Sequence, residues 1–228
     1  FSRESQFQSP DESIPGLSRL RQIATSLGDA VSIGSLHLEV APLEGIRGHY
    51  INARRHLEVA RHLLSRSDRA VPKSMVELVD ASLEIYAGNL GRATRSAKAG
   101  VEQARNAGLC MPLAGSYSNF GLLLLFSGNP AGAKECLDRA LALCDGLVQV
   151  RLSVVDSLGE VALFEGDLGQ SQILLRQCDD SVKALRIPAQ SWNQLVIDTT
   201  RCAYFEALRD WPQVVAIADA AEPELGGR

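Results

Sequence analysis

Four histidines in one short stretch are the residues of this sequence best suited to metal or acid–base chemistry. Their spacings are 12, 7 and 6 residues: His37, His49, His56 and His62. Two metal ligands on one helix need a spacing of three or four residues, and Asp, Glu or Cys would have to complete the set. His49 and His56 could share a helix face, but no such set accompanies them. We therefore expect solvated or capping histidines, with no metal site and no cofactor.

Motifs for catalysis are absent from the sequence. Neither the G-x-S-x-G nucleophile turn nor the glycine-lysine loop that cradles phosphates occurs. Asp179 and Asp180 are adjacent, so on a helix their carboxylates point to different faces and cannot work as an acid–base pair. The Gly-Asp-Leu-Gly run at 166–169 has the glycines of a phosphate loop, but its recurrence along the chain indicates a structural turn. The sequence therefore predicts a protein that is not an enzyme.

Composition and charge exclude further classes of protein. Hydrophobic residues make up 46% and charged residues 22% of the 228 residues, as in ordinary globular proteins. The net charge of −4 argues against a nucleic-acid-binding domain, because such domains are usually basic. No apolar run approaches the roughly 18 residues of a membrane span, so we expect no membrane partner.

The cysteines indicate a reducing compartment. Their number is odd, and no two have the C-x-x-C spacing of zinc or redox motifs. Each stands among apolar or small residues, which is typical of buried free thiols. We therefore predict a cytoplasmic protein. The cysteines are Cys110, Cys136, Cys144, Cys178 and Cys202.

A repeat of about 40 residues organises most of the chain. Four segments share a glycine, which we call the anchor, followed five positions later by a small residue; a fifth, degenerate copy has arginine at the anchor. Successive anchors are 40, 40, 38 and 43 residues apart. Glycine favours a turn here, since it adopts positive φ without steric cost. The anchors are Gly48, Gly88, Gly128, Gly166 and Arg209.

Small residues and helical periodicity surround every anchor. The segment 131–147 has apolar residues at i, i+3, i+4 and i+7, which is typical of an amphipathic helix. Each unit is thus predicted to be two helices joined by a tight turn, and stacked units bury their apolar faces together. The predicted fold class is all-α: a right-handed α-α superhelix, or solenoid, of about five helical hairpins. Seven positions before the anchors stand Ala41, Ala81, Gly121, Gly159 and Cys202.

This unit resembles the tetratricopeptide repeat. The resemblance rests on the small residues before and after the turn and on the glycine at the turn, and it covers about residues 30–222. These units are longer than the usual 34 residues. Longer repeats are similar to those of bacterial signal-transduction proteins and transcription activators.

A second resemblance concerns the run from Leu36 to Leu64. It is similar to the N-terminal repeat region of bacterial enhancer-binding transcriptional regulators, which depend on an alternative sigma factor. Those proteins carry their helical repeats ahead of an ATPase core and a DNA-binding tail. The resemblance implies that this chain is the sensory or assembly segment of such a regulator.

We expect a single repeat domain with less regular ends. Residues 1–16 are predicted to be a loose N-terminal tail, residues 17–222 the helical-repeat domain and residues 223–228 a linker. Pro42 falls within the first helix of the first unit, where proline predicts a kink or an early end of the helix.

The resemblance to tetratricopeptide repeats implies a concave surface lined by the first helix of each unit. Its groove positions mark candidate contacts for a protein or peptide, or for neighbouring domains. An alternative for the three aromatic residues among them is packing between units. The candidates are Met75, Ser82, Tyr86, Ser118, Leu122, Phe126, Asp156, Glu160, Phe164 and Thr199.

The first unit is rich in arginine, which allows two interpretations. The arginines could form a patch for phosphate or an acidic partner, or a solvated face with local pairs such as Arg54–Glu58. No aromatic residues interleave with them, so nucleic-acid binding is the weaker interpretation.

Together these features predict a non-catalytic protein-interaction and regulatory domain. The partner is expected to be a protein or peptide. A small-molecule-sensing solenoid and a homodimerisation module of a signalling protein remain alternatives.

Overall fold

The computed structural model describes residues 10–67, 70–188 and 191–225, which form eleven α-helices and no strand. The predicted all-α solenoid of about five hairpins is confirmed. None of the helices in these ranges combines the length and apolar character that a membrane span requires. The helices are α1 (Pro10–Ser26), α2 (Ala30–Ile46), α3 (Tyr50–Ser65), α4 (Ala70–Tyr86), α5 (Leu90–Asn106), α6 (Cys110–Phe126), α7 (Pro130–Ala142), α8 (Val148–Phe164), α9 (Leu168–Leu185), α10 (Trp192–Ala207) and α11 (Trp211–Leu225).

Ten of the helices form five hairpins, and one helix precedes them. The hairpins are α2–α3, α4–α5, α6–α7, α8–α9 and α10–α11, each folded around one anchor. The first helix of every later hairpin packs against both helices of the preceding hairpin. The additional helix, α1, packs against α2 and buries Leu17 and Ala24.

The ends of the domain differ from the sequence prediction. Residues 10–16, predicted to be a loose tail, form the beginning of α1, because a proline such as Pro10 is well tolerated in the first helical turn. At the other end, α11 continues to Leu225, within the predicted linker. Residues 1–9 and 226–228 lie outside the described residues. Pro42 does not end its helix early, since α2 continues to Ile46.

Each anchor has the left-handed conformation that its glycine predicted. Gly48, Gly88, Gly128 and Gly166 have φ between 74° and 78°, and Arg209 adopts a φ of 59°. At the second anchor, the Gly88 and Asn89 amides donate to the carbonyls of Ile85 and Glu84, which closes the end of α4. Asn89 is at the same time the N-cap position of α5. A single tight turn therefore ends one helix and begins the next.

Packing between hairpins depends on three positions of each first helix. They stand twelve, nine and five residues before the anchor, so they share one helix face. In α4 these are Val76, Val79 and Leu83, each no more than 6% exposed. They enter the groove between α2 and α3. The equivalent residues are Ser116, Asn119 and Leu123 in α6, Val154, Ser157 and Val161 in α8, and Ile197, Thr200 and Tyr204 in α10.

The small residues of the repeat make this close packing feasible. Ala41 and Ala81, seven positions before their anchors, are fully buried. At the same position, a Cβ atom on Gly121 would lie 2.8 Å from Leu137 Cγ and 3.2 Å from the Ala133 carbonyl oxygen. A Cβ atom on Gly159 would find nothing nearer than 3.8 Å. Equivalent positions therefore differ in how closely the helices approach.

This difference predicts opposite effects of one substitution at two equivalent sites. Gly121→Ala should destabilise the protein by about 1 kcal/mol, because overpacking, at about 1–3 kcal/mol, outweighs the helix propensity gained. Gly159→Ala should be neutral or stabilise by up to about 1 kcal/mol. Urea unfolding of both variants measures the difference, and equal midpoints would contradict the packing account.

Candidate functional site

The face predicted to be concave is built from the first helices of the hairpins. Helices α2, α4, α6, α8 and α10 pack side by side in chain order, and the second helices lie behind them. The surface therefore presents equivalent positions of neighbouring units next to one another. All ten sequence-predicted contact residues lie on α4, α6, α8 and α10.

The three predicted aromatic residues have different environments, although each stands two positions before its anchor. Phe126 in α6 is 52% exposed and Phe164 in α8 is 59% exposed. Tyr86 in α4 instead packs against Gly45, where an added Cβ would lie 3.3 Å from Tyr86 Cδ2. The packing alternative thus holds for Tyr86, whereas the two phenylalanines leave most of their ring surface in solvent.

Tyr86 also joins two distant hairpins. Its ring contacts the Trp192 ring edge to face, with 5.4 Å between the ring centroids, although α6 and α8 stand between α4 and α10 in the row of first helices. The Tyr50 hydroxyl donates to the Tyr86 carbonyl at 2.8 Å. Burial raises the pKa of the Tyr86 phenol to about 12, so it stays protonated at physiological pH. The ring contact connects the second hairpin to the fifth, and the Tyr50 hydrogen bond connects the first hairpin to the second.

Two carboxylates lie one helical turn apart on α8, where α10 packs. Asp156 is 2% exposed, and its Oδ1 has no hydrogen-bond partner among the described residues. The Thr200 hydroxyl donates to Glu160 Oε1 at 3.4 Å. Burial and the neighbouring Glu160 raise the pKa of Asp156 to about 7. Burial also raises the pKa of Glu160, so this pair holds protons more tightly than ordinary carboxyls do.

Arg201 is the cation nearest this pair on α10, but other carboxylates engage it. Its guanidinium forms ion pairs with Asp179 of α9 and Asp198 of α10. Asp156 and Glu160 consequently have no cation of their own in the described part of the chain. Direct contact with a partner is open to the half-buried Glu160, while Asp156 lies beneath the surface.

The remaining predicted contact residues are mostly small or half-buried. Ser82 Oγ accepts a hydrogen bond from Asn119 Nδ2 at 3.0 Å, which links α4 to α6. Ser118 is buried, Met75 and Leu122 are partly exposed, and Thr199 is exposed.

The histidine contacts differ from the sequence analysis, in which His49 and His56 could share a helix face. His37 of α2 and His56 of α3 approach with 2.9 Å between their Nδ1 atoms, so one ring donates and the other accepts. Burial lowers the pKa of His37 to about 4, and the pKa of His56 is lowered as well, so both are neutral at pH 7. His49 instead contacts Glu44 Oε2 at 3.0 Å. In the described ranges, no three potential ligand side chains come together as a metal site.

Arginines of the first unit bind carboxylates of the second. Arg54 Nη2 lies 2.7 Å from Glu84, which is fully buried, and not beside the predicted Glu58. Arg61 Nη1 lies 2.5 Å from Glu77. Part of the basic patch is therefore used to join α3 to α4. The sequence did not predict the Arg54–Glu84 ion pair or the Tyr86–Trp192 ring contact, because in each case the two residues belong to different units.

The cysteines only partly match the buried thiols expected. All five are free; Cys144 and Cys178 are buried, and Cys110 is exposed. Burial raises the pKa of the Cys178 thiol to about 12, which makes it a poor nucleophile.

Comparisons with known proteins identify the fold but no family. No protein-family model and no curated protein sequence matches the chain. Among solved structures, BtubC (BKLC) from P. vanneervenii has a TM-score of 0.64 and 17% identity, covering 97% of this chain and 94% of that chain. A Rap protein complexed with Competence and Sporulation Factor has a TM-score of 0.76 and 14% identity, covering 93% of this chain and 59% of that one.

A third similar structure is a putative kinesin light chain of P. anserina with nearly identical TPR-like repeats. Its TM-score is 0.55 at 14% identity, and the match covers 84% of this chain and 95% of that chain. At such identities the likeness shows a shared tetratricopeptide-like fold, which confirms the first of the two resemblances.

The raised pKa of Asp156 makes stability depend on pH. Between its ordinary value of 3.8 and about 7, the folded protein keeps a proton that the unfolded chain releases, so stability falls as the pH rises. Asp156→Asn should reduce this fall, leaving the part that the raised pKa of Glu160 causes, and should stabilise the protein at pH 8 by at most about 4 kcal/mol. Urea unfolding at pH 5 and pH 8 measures the change.

The exposed Asp138 of α7 supplies the matched control for this experiment. Asp138→Asn should leave the pH dependence of the wild type in place. A fall in stability from pH 5 to pH 8 that persists unchanged in Asp156→Asn would show that Asp156 is not its source.

Proposed function

We propose that this chain is a non-catalytic protein-interaction and regulatory domain whose concave surface binds an extended segment of a protein or peptide. The observation that carries the proposal is the exposure of Phe126 and Phe164, 52% and 59%, at equivalent positions of neighbouring units. Tyr86 shows that the fold can cover an aromatic side chain at this position. Two uncovered phenylalanines on a concave surface are typical of anchors for a partner.

The repeat also suggests the spacing of the partner's anchor residues. Packed helices have axes about 8–10 Å apart, so Phe126 and Phe164 are separated by about that distance along the surface. Three residues of a polyproline-type chain rise about 9 Å and return to the same side. We therefore propose that the partner segment carries two apolar side chains three residues apart.

The fold comparison supports the class of ligand by analogy only. The Rap protein of similar fold was solved with Competence and Sporulation Factor bound, and fold alone does not determine function. The proposal for this chain therefore depends on its own exposed residues. Glu160, half-buried one turn before Phe164, adds an acidic group beside the apolar anchors.

We further propose that the domain is the sensory or assembly segment of a larger bacterial transcriptional regulator in the cytoplasm. The long repeats and the similarity of residues 36–64 to enhancer-binding regulators support this context. Regulation would require that the partner binds two states of the protein with different affinity. Deleting the domain from such a regulator should alter the response of transcription to its signal, and an unchanged response would contradict this context.

A small-molecule ligand is a second candidate, favoured by one cavity. It has a volume of about 470 Å³ and lies between the segment that joins α7 to α8, the first half of α8 and the second half of α9. Arg151, Gln177 and Asp180 line it together with Leu147 and Cys144. A metabolite that raises the melting temperature of the wild type but not of Arg151→Ala would support this candidate.

Removing the two phenylalanines should abolish peptide binding and leave the fold intact. A phage-displayed library of random heptapeptides provides the ligands, and enrichment on immobilised protein is the measurement. We expect apolar residues with a spacing of three to be enriched on the wild type. The Phe126→Ala/Phe164→Ala variant should lose about 2–4 kcal/mol of binding free energy, because two aromatic anchors are truncated.

The control is an exposed apolar residue on the convex side of the solenoid. Ile173 of α9 is 51% exposed, so Ile173→Ala removes a comparable surface without touching the concave face. Equal enrichment on all three proteins, or none on any of them, would contradict binding at the concave surface.

A further inference from the structure

We infer that the C-terminal end of the solenoid is a helix-binding groove and that its occupant is α1 of a second copy of this chain. The groove lies between α10 and α11 and has a volume of about 340 Å³. The residues that line it are Trp192, Leu195, Val196, Asp198, Thr199, Cys202, Ile217, Ala218 and Ala221.

The repeat itself shows what such a groove accommodates. The equivalent groove of the fourth hairpin, between α8 and α9, receives α10. Its residues Asp156, Leu175 and Cys178 are at most 5% exposed. Their counterparts in the fifth hairpin are Thr199, Ala218 and Ala221; the first two are exposed and the third is partly exposed. No described residue takes the place that α10 takes one hairpin earlier.

The inserted face of each first helix defines the pattern that a groove binds. In α4, α6, α8 and α10 this face presents residues at i, i+3 and i+7, and in α10 they are Ile197, Thr200 and Tyr204. A helix that fills the open groove should therefore present exposed apolar residues at the same i, i+3 and i+7 spacing.

Helix α1 presents such a set at the opposite end of the molecule. Leu20, Ile23 and Leu27 stand at i, i+3 and i+7 and are 46%, 51% and 76% exposed. Leu20 and Ile23 lie on α1 and Leu27 directly follows it. Three large apolar side chains on one exposed face form an apolar patch of the kind that marks a protein–protein interface. An open groove and a matching exposed face therefore occur on the same chain.

Charge near the two surfaces is compatible with this contact. Arg19 precedes Leu20 on α1, and Asp219 follows Ala218 on α11. Asp198 also lines the groove, but it is already paired with Arg201. Because the two surfaces are different, the contact is heterologous and joins the N-terminal end of one copy to the C-terminal end of the next. Such contacts form rings where the rotation closes and linear arrays where it does not.

Light scattering coupled to size-exclusion chromatography over a wide concentration range tests this inference. The full chain should associate as its concentration rises. Ile23→Lys, on the exposed face of α1, and Ala218→Lys, in the groove, should each weaken association at least about tenfold, because either one places a charge in the apolar contact. Both positions are solvent-exposed in one copy, so neither change should disturb folding.

Mixing the two variants tests directly whether the α1 surface and the groove bind each other. Each retains one intact surface, so an equimolar mixture of Ile23→Lys and Ala218→Lys should form a one-to-one complex that neither forms alone. The matched controls are Ala216→Lys on the other face of α11 and Gln22→Lys on α1, both at exposed positions, and they should associate like the wild type.

Three results would overturn the inference. The wild type could remain monomeric throughout the concentration range. Association could be lost in Ile23→Lys and kept in Ala218→Lys, which would indicate that α1 pairs with α1. The mixture could also stay monomeric, which would show that the two surfaces do not bind each other.

Discussion

Every hairpin after the first depends on the insertion of its first helix into the groove of the hairpin before it. The inserted face has only three positions, at i, i+3 and i+7, and in α4 they are Val76, Val79 and Leu83. The helices can approach only where the groove is lined by small residues such as Ala41 and Ala81. The tight turn at each anchor reverses the chain, so that the two helices of a hairpin pack together and leave a groove for the next first helix. The length of the repeat is therefore the length of one hairpin with its connection to the next.

The same constraint determines which surfaces remain for partners. Most residues on the inserted faces and in the filled grooves are buried and serve stability, although Asn119 of α6 is only half-buried. The concave face receives no helix, and there Phe126 and Phe164 remain exposed while Tyr86 is covered by Gly45 and Trp192. The ends of the array are a second kind of free surface, because no described helix is inserted into the fifth groove or packs on the exposed face of α1. Asp156 is an exception among the groove residues that serve stability, because it places a carboxyl group in a filled groove. Its raised pKa is the consequence of that burial.

Much of the fold was predictable because the repeat depends on local properties of the sequence, namely the backbone preference of glycine and the spacing of small residues on helices. Positive φ at the glycine anchors, and even at Arg209, follows from position in the repeat. Burial of the small residues before the anchors follows from helical spacing. The start of α1 at Pro10 was not predicted, because α1 has no copy within the repeat to be aligned with. The polar contacts Arg54–Glu84 and His37–His56 join residues far apart in sequence, so local spacing could not reveal them.

The candidate site was predictable in position but not in detail. The repeat placed Tyr86, Phe126 and Phe164 on equivalent turns of the concave helices, yet only neighbours from distant units decide which ring is covered. Binding at the concave surface can be tested by hydrogen exchange of the protein with and without a peptide selected on it. A peptide bound across Phe126 and Phe164 should slow exchange in α6 and α8 and leave α7 and α9 unchanged. Protection confined to α7 and α9 would contradict binding at the concave surface.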